Sequence, residues 1–203
     1  MSSFPFRKVA RRIVLTGGPG AGKTAILELA RHNLCRHVEV LPESASIVFG
    51  GGFPRLSSIV ARRCAQRAIF HVQSELETMS LSDPEHEVVL CDRGTLDALA
   101  YWPAPWADFF ADMKTSMEAE LARYETVVHL CVPEIPSEYK QTPLREESHA
   151  EARAIDAKLR EVWSTHPHRI IINGEENFMD KANRALDVIR AEVRAHPCDD
   201  HGE

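Results

Sequence analysis

A glycine-rich segment of eight residues constrains the fold of this 203-residue chain more than any other feature. Gly17 to Thr24 read G-G-P-G-A-G-K-T, which matches G-x-x-x-x-G-K-[ST] at every fixed position. An apolar run precedes the segment and an amphipathic stretch follows it. Glycines allow positive φ angles, so backbone N–H groups can turn toward phosphate oxygens, and the N-terminus of the following helix adds further donors. The segment therefore predicts a phosphate-binding loop between a strand and a helix.

Each polar side chain of this segment has a predicted role. Lys23 is expected to contact the β- and γ-phosphates as a point charge, and the Thr24 hydroxyl is expected to bind Mg²⁺. The predicted nucleotide-binding residues are Gly17, Gly18, Pro19, Gly20, Ala21, Gly22, Lys23, Thr24 and Ala25.

Short apolar runs alternate with helical patterns along the chain. The predicted strands are Arg12–Thr16, Val38–Leu41, Glu87–Cys91, Thr126–Cys131 and Arg169–Ile172. The third contains Val88-Val89-Leu90, which is apolar on both faces and is typical of a parallel strand covered on both sides. Five such strands alternating with helices predict a doubly wound α/β sheet.

Helical spacing is clearest from Ser58 to Met79, which we expect to bury its apolar positions and to expose Arg62, Arg63, Gln66 and Arg67. The apolar stripe is Val60, Cys64, Ala68, Val72, Leu76 and Met79. Ser148 and Glu151 form a predicted capping box for a helix from His149 to Trp163, and a last helix covers about residues 177 to 195.

Composition limits the function classes. The formal net charge of −6 argues against a protein that mainly binds nucleic acid. No run approaches the 18 apolar residues of a membrane helix.

The five cysteines form no C-x-x-C pair, so we expect reduced, packed thiols rather than disulfides or zinc. Together with the lack of a signal peptide, this predicts a cytoplasmic protein. The length favours a single domain spanning 1–203, with flexible ends at about 1–10 and 196–203.

Acidic and basic residues follow the predicted strands at the edge where ligands bind in such sheets. Asp92 follows the third strand and is a candidate Mg²⁺ ligand, directly or through water; alternatively it caps the next helix. Arg93 could contact a phosphate or an acceptor hydroxyl, or make a structural ion pair. Glu43, after the second strand, could accept the proton of an attacking hydroxyl or simply be solvated.

A polar stretch before the fifth strand, about residues 133–153, is a candidate lid. Arg145 within it, and Arg153 on the next helix, could close over a triphosphate and stabilise charge in the transition state, or could only solvate a surface loop. The predicted catalytic residues are thus Lys23, Glu43, Arg93 and Arg145.

These motifs resemble the AAA_28-type P-loop family, which is close to the nucleoside and nucleotide kinases, including domains similar to ribosylnicotinamide kinase. The resemblance spans roughly residues 12 to 175. It rests on Gly17–Thr24, Leu41-Pro42-Glu43-Ser44-Ala45, Cys91-Asp92-Arg93-Gly94 with Asp97 and Tyr101, and Arg145-Glu146 with Ile155 and Asp156.

The resemblance implies a three-layer α/β/α fold with strand order 2-3-1-4-5, an acceptor pocket between the Glu43 and Arg93 segments, and an arginine-bearing lid. Asp97 and Tyr101 could face the acceptor; the alternative is that Tyr101 and Trp102 pack in the core. The segment Gly50-Gly51-Gly52-Phe53-Pro54 departs from the family pattern as a flexible insertion, which leaves the acceptor open.

The sequence is compatible with three functions. The first is a kinase that moves the γ-phosphoryl group of ATP to a nucleoside- or nucleotide-like acceptor, with Mg²⁺ as cofactor. The second is an ATPase switch acting on a protein partner, and the third is a nucleotide-binding regulator without turnover. The chain has no N-K-x-D guanine signature and no L-S-G-G-Q-like signature, which disfavours familiar switches and transporters.

Overall fold

The computed structural model describes residues 10–134, 148–173 and 177–194, and a five-stranded parallel sheet forms its centre. The strands are β1 (Arg11–Thr16), β2 (Val38–Leu41), β3 (Val88–Asp92), β4 (Thr126–Leu130) and β5 (Arg169–Ile172). Their spatial order is β2-β3-β1-β4-β5, which confirms the predicted order. In register, Ile13 of the central strand lies between Leu90 and Thr126.

The described residues also form seven α-helices and one 3-10 helix. The α-helices are α1 (Lys23–Asn33), α2 (Ser44–Gly50), α3 (Ile59–Ser82), α4 (Trp106–Met113), α5 (Met117–Leu121), α6 (His149–Val162) and α7 (Phe178–Arg194), and the 3-10 helix is Thr95–Ala100. In the part of the chain that the structure describes, no helix combines the length and apolar character needed to span a bilayer.

Two apolar clusters cover the two faces of the sheet, which confirms the three-layer α/β/α architecture. Side chains alternate along β1, so Ile13 and Leu15 join Ile26 of α1 and Ile189 of α7 on one face. Val14 faces the other side, with a cluster that includes Val89, Cys91, Val127, Phe70, Leu96, Phe109 and Trp163. Because helices cover both faces, ligands can reach the sheet at the carboxyl ends of its strands.

Helix caps explain where α3 and α6 begin. The Ser58 hydroxyl accepts the backbone N–H of Ala61 at the start of α3. The predicted capping box at α6 is confirmed: the Ser148 hydroxyl accepts the N–H of Glu151, and the Glu151 carboxylate accepts the N–H of Ser148 at 2.8 Å.

The predicted face of α3 is wrong in part, since the four middle apolar positions are only half-buried: Cys64, Ala68, Val72 and Leu76. Val60 and Met79, assigned to the buried stripe, are 71% and 64% exposed, whereas Gln66 is buried. The buried positions are Ala65, Gln66, Phe70, Gln73, Glu77 and Ser80, which from Gln66 onward recur at intervals of three or four residues and so share one side of the helix. Polar residues occupy the buried face because distant groups satisfy them, above all at Glu77, which accepts hydrogen bonds from Arg12, Arg123 and Tyr124.

Two further predictions need correction. The chain after β2 first forms α2, Ser44–Gly50, so Gly50 is helical, and the irregular segment runs from Gly51 to Ser58 instead of from Gly50 to Pro54. Cys35 is disulfide-bonded rather than reduced, whereas Cys64, Cys91 and Cys131 are free. Disulfide formation depends on a short Cα–Cα distance, which sequence spacing does not reveal.

Candidate active site

The glycine-rich loop joins β1 to α1 as predicted, with positive φ angles at Gly17, Gly20 and Gly22. A Cβ atom on Gly17 would lie 2.0 Å from the carbonyl oxygen of Leu130, so only glycine fits between the loop and β4. Gly22 is the left-handed N-cap of α1, whose first turn has no acidic residue. The N–H groups of this turn therefore face a space suited to an anion.

Lys23 is buried beside the loop that it follows. Its Nζ atom donates to the carbonyl oxygens of Gly17 at 2.8 Å and Gly18 at 3.0 Å. Burial, together with the positive charge of Arg93, lowers the pKa of Lys23 to about 8. A polyphosphate next to the ammonium group would reverse this effect, since an adjacent anion favours the charged form.

Asp92 is the last residue of β3 and lies at the same edge of the sheet. Burial raises the pKa of Asp92 to about 6, against the opposing charges of Lys23 and Arg93. Its Oδ1 atom is buried and has no hydrogen-bond partner among the described residues, so Asp92 does not cap the 3-10 helix through this atom. An unpartnered carboxylate oxygen fits a ligand of Mg²⁺ or of a Mg²⁺-bound water, and Thr24, exposed on the first turn of α1, offers a hydroxyl.

Arg93 and Glu43 form an ion pair across the ends of β2 and β3. Arg93 Nε donates to Glu43 Oε1 at 2.7 Å, and the Ser46 hydroxyl donates to Glu43 Oε2 at 2.6 Å. Burial opposes ionisation of Glu43, but the Arg93 charge and the Ser46 hydrogen bond outweigh it and lower the pKa of Glu43 to about 2. Arg93 adopts a left-handed φ of 72° and also donates from Nη1 to the Gly17 carbonyl oxygen at 3.3 Å.

Asp97 is a buried carboxylate that links several side chains of this site. Its carboxylate accepts hydrogen bonds from the Thr16 hydroxyl at 2.8 Å and from Trp163 Nε1 at 2.7 Å, and contacts Arg93 Nη1 at 3.4 Å. Tyr101 lies at the surface of the site, with its ring centroid 5.8 Å from the Arg93 guanidinium carbon. The neighbouring Trp102 packs in the core instead.

The structure thus brings Lys23, Asp92, Arg93 and Glu43 together, as the sequence predicts. Arg145 lies outside the described residues, as does most of the candidate lid, so its role stays a prediction. Residues 149–153 of that lid are the first turns of α6. Arg153 is exposed and lines a separate cavity of about 200 Å³ with Glu134 and Asn173.

A larger cavity of about 580 Å³ connects the phosphate-binding loop to the interior side of α3. Gly20, Lys23 and Thr24 line one end, and Asp92, Arg93 and Glu43 line the middle. The lining at the far end is Phe49, Arg55, Gln66, Ile69, Phe70 and Gln73. The far-end residues of α3 are absent from the sequence-based site because the predicted helix face was wrong. Gln66, Phe70, Gln73 and Glu77 follow one another at intervals of four, three and four residues, which is the signal that places them on one face.

The fold and this site together define a P-loop nucleoside-triphosphate-binding protein. The family model described as AAA domain, AAA_28, matches residues 12–181. The chain therefore belongs to the AAA_28 family. No sequence among the curated proteins matches the chain significantly.

Solved structures support the same fold. A deoxyadenosine kinase from M. mycoides with bound dATP is 13% identical, with a TM-score of 0.58 over 89% of this chain and 99% of that chain. A NadR protein in complex with NAD and AMP-PNP is 14% identical, with a TM-score of 0.63 over 98% of this chain. The match covers 53% of the NadR chain, so this chain corresponds to about half of that protein.

Proposed function

We propose that this protein is a small-molecule kinase that transfers the γ-phosphoryl group of ATP to a hydroxyl group of a nucleoside-like acceptor. The continuous 580 Å³ cavity carries this proposal, because it joins the phosphate-binding loop to a second, partly apolar pocket. Such a volume lies in the range typical of small-molecule sites. The solved structures that share the fold, one a deoxyadenosine kinase with bound dATP and one a NadR protein with AMP-PNP, are consistent with it.

The far end of the cavity suits a flat ring that donates a hydrogen bond. Phe49, Ile69 and Phe70 supply apolar surface. Gln73 is 1% exposed, and its Nε2 atom donates to Glu77 Oε1 at 3.0 Å. Because the Glu77 carboxylate can only accept, the amide must turn its NH₂ toward Glu77 and leave Oε1 as an acceptor. Gln73 Oε1 has no partner among the described residues, so a ring N–H or an exocyclic amine of a nucleobase would satisfy it.

The residues at the middle of the cavity would orient the reacting groups. Lys23 would neutralise the β- and γ-phosphates, and Thr24 and Asp92 would hold Mg²⁺. When bound, Mg²⁺ supplies charge neutralisation of the phosphate oxygens. The acceptor oxygen attacks the γ-phosphorus, the bond to the β–γ bridging oxygen breaks, and ADP leaves.

Glu43 would accept the hydroxyl hydrogen bond and finally its proton, while Arg93 keeps the carboxylate ionised and in place. A carboxylate with a pKa of about 2 is a weak base. Phosphoryl transfer through a loose transition state needs little proton removal before attack, so the contribution of this pair is mainly positioning.

The test is ADP formation with Mg·ATP and a panel of nucleosides, nucleotides and vitamin precursors. We expect one acceptor class to raise ADP formation sharply and to yield a phosphorylated product. Gln73→Leu should raise the KM of that acceptor by about tenfold or more, while the KM of ATP is unchanged. Phosphate release that no acceptor stimulates, but that a protein partner does, would instead establish the ATPase switch and refute the kinase.

A further inference from the structure

A buried pair of side chains beneath the phosphate-binding loop lies outside the site described above. Asp156 of α6 accepts the backbone N–H of Gly18 at 2.8 Å through Oδ1. The same oxygen lies 3.1 Å from Nε2 of His129, a fully buried residue of β4. The His129 hydrogen bond helps to lower the pKa of Asp156 although burial alone would raise it, so the carboxylate remains ionised at neutral pH.

The loop also touches the backbone of α6 at this point. A Cβ atom on Gly18 would lie 2.7 Å from the carbonyl oxygen of Ala152 and 2.6 Å from Cγ2 of Val132. The absence of a side chain at Gly18 is thus what allows the Asp156 hydrogen bond to form at normal length. Gly18 is therefore packed tightly against both Val132 and the backbone of α6.

The Gly17–Gly18 peptide connects this pair to the cavity. The structure contains no cis peptide bond among the described residues, so the C=O and N–H of this peptide point in opposite directions. Its N–H faces Asp156, and its carbonyl oxygen accepts hydrogen bonds from Lys23 Nζ at 2.8 Å and Arg93 Nη1 at 3.3 Å. A hydrogen bond that fixes the Gly18 N–H therefore also fixes the direction of the Gly17 carbonyl, to which Lys23 and Arg93 both donate.

We propose that Asp156 is a positioning residue of the nucleotide site: oriented by His129, it sets the plane of the Gly17–Gly18 peptide and thereby the resting place of Lys23 and Arg93. Without the carboxylate, the buried Gly18 N–H loses its acceptor and the peptide is free to rotate. The inference rests on the nucleotide-binding part of the proposed function and not on the identity of the acceptor.

The test is calorimetric binding of Mg·AMP-PNP to the full chain. Asp156→Ala should weaken the affinity on the order of 10- to 100-fold, since a charge-assisted hydrogen bond to a buried amide is lost. Asp156→Asn should retain more affinity than Asp156→Ala, because its amide oxygen can still accept from Gly18, although this one oxygen then has to serve both the Gly18 and the Val132 N–H groups that bond the carboxylate. His166→Ala is the control, since it removes a different buried polar side chain that bonds a backbone group, the carbonyl of Tyr124. It should lower the melting temperature without changing the affinity.

Equal affinity in Asp156→Ala and the wild type would overturn the inference while leaving nucleotide binding intact. No binding by the wild type would instead remove the proposed function as well. Loss of affinity in Asp156→Asn equal to that in Asp156→Ala would also contradict it, because hydrogen-bond geometry would then not be the cause.

Two measurements need no destabilising variant. By NMR, the Gly18 amide should exchange slowly with solvent in the free protein and remain protected with Mg·AMP-PNP; loss of protection on binding would overturn the inference.

Metal analysis addresses another use of the same residues, because ligand atoms of His129, Cys131 and Asp156 lie within 4.8 Å of one another. Stoichiometric zinc that is lost in Asp156→Asn would mean a metal site instead of a positioning pair.

Discussion

At the scale of single residues, two carboxylates at adjacent strand ends have opposite pKa shifts. Burial raises the pKa of Asp92 to about 6, whereas Arg93 and Ser46 overcome burial and lower that of Glu43 to about 2. The two pKa shifts differ because of hydrogen bonding. Glu43 accepts from two donors, whereas Asp92 Oδ1 has no donor among the described residues. Asp92 is thus the group whose charge costs stability until a cation arrives.

This cost predicts a pH-dependent effect of Asp92→Asn on the free energy of unfolding. The folded pKa of Asp92 is raised, so its contribution to stability is present below its unfolded pKa of about 3.8 and is lost as the pH rises through about 6. At pH 8 without nucleotide, Asp92→Asn should therefore stabilise the protein by about 1–3 kcal/mol, and near pH 4 by little. Urea denaturation measures both values, with the exposed Asp187→Asn as control. Equal effects at the two pH values would contradict the assignment.

Glu43 gives a second prediction at this scale. Glu43→Gln keeps one acceptor oxygen but removes the charge that holds Arg93, so kcat should fall at least about tenfold while the dissociation constant of Mg·ATP changes less than about threefold. Steady-state kinetics and calorimetry on the same preparation separate the two quantities. Equal losses in both would mean that Glu43 is structural.

At the scale of elements, α3 and the 3-10 helix shape the cavity through buried contacts with distant segments. Glu77 on α3 has a fully buried side chain and contacts Arg12 at 3.2 Å and Arg123 at 2.7 Å. Gly94, before the 3-10 helix, packs against the indole of Trp163, which follows α6. These contacts hold Gln73 and Asp97 in their orientations.

Glu77→Ala should lower the free energy of unfolding by about 2–4 kcal/mol, because two arginines and the Tyr124 hydroxyl lose a buried partner. Glu75→Ala on the exposed side of the same helix should change it by less than about 0.5 kcal/mol. Chemical denaturation at pH 7 compares the two. Similar small effects would show that the network does not stabilise the fold.

Gly94→Ala and Gly50→Ala form a second matched pair. A Cβ atom on Gly94 would lie 2.8 Å from Trp163 Cζ2 and 3.1 Å from Val14 Cγ2, whereas one on Gly50 meets nothing within 4 Å. We expect Gly94→Ala to destabilise the protein by about 1–3 kcal/mol. Gly50→Ala should be neutral or slightly stabilising. Thermal denaturation measures the stability of both variants. A Gly94→Ala variant as stable as the wild type would contradict the tight packing around Gly94.

At the scale of the whole molecule, the sequence predicts what depends on local patterns. The five strands, the phosphate-binding loop and the capping box at Ser148 follow from apolar runs and short motifs, and the structure agrees with each. The face of α3 does not follow, because burial of Glu77 depends on Arg12 and Arg123, which are 65 and 46 residues away. The Asp156 contact with Gly18 was missed for the same reason, because it joins residues 138 positions apart. The Gln73 amide was missed with the helix face, since its bond is to Glu77 on the same helix.

The central claim is that Lys23 and the glycine-rich loop bind a nucleoside triphosphate. Titration of the protein with Mg·ATP in a calorimeter tests it directly, with Lys23→Ala as the variant and the exposed Lys158→Ala as the control. We expect saturable binding by the wild type and the control, and an affinity at least about 100-fold lower for Lys23→Ala, because a buried charge-assisted contact is lost. Absence of binding by the wild type, or equal affinity in Lys23→Ala, would contradict the account.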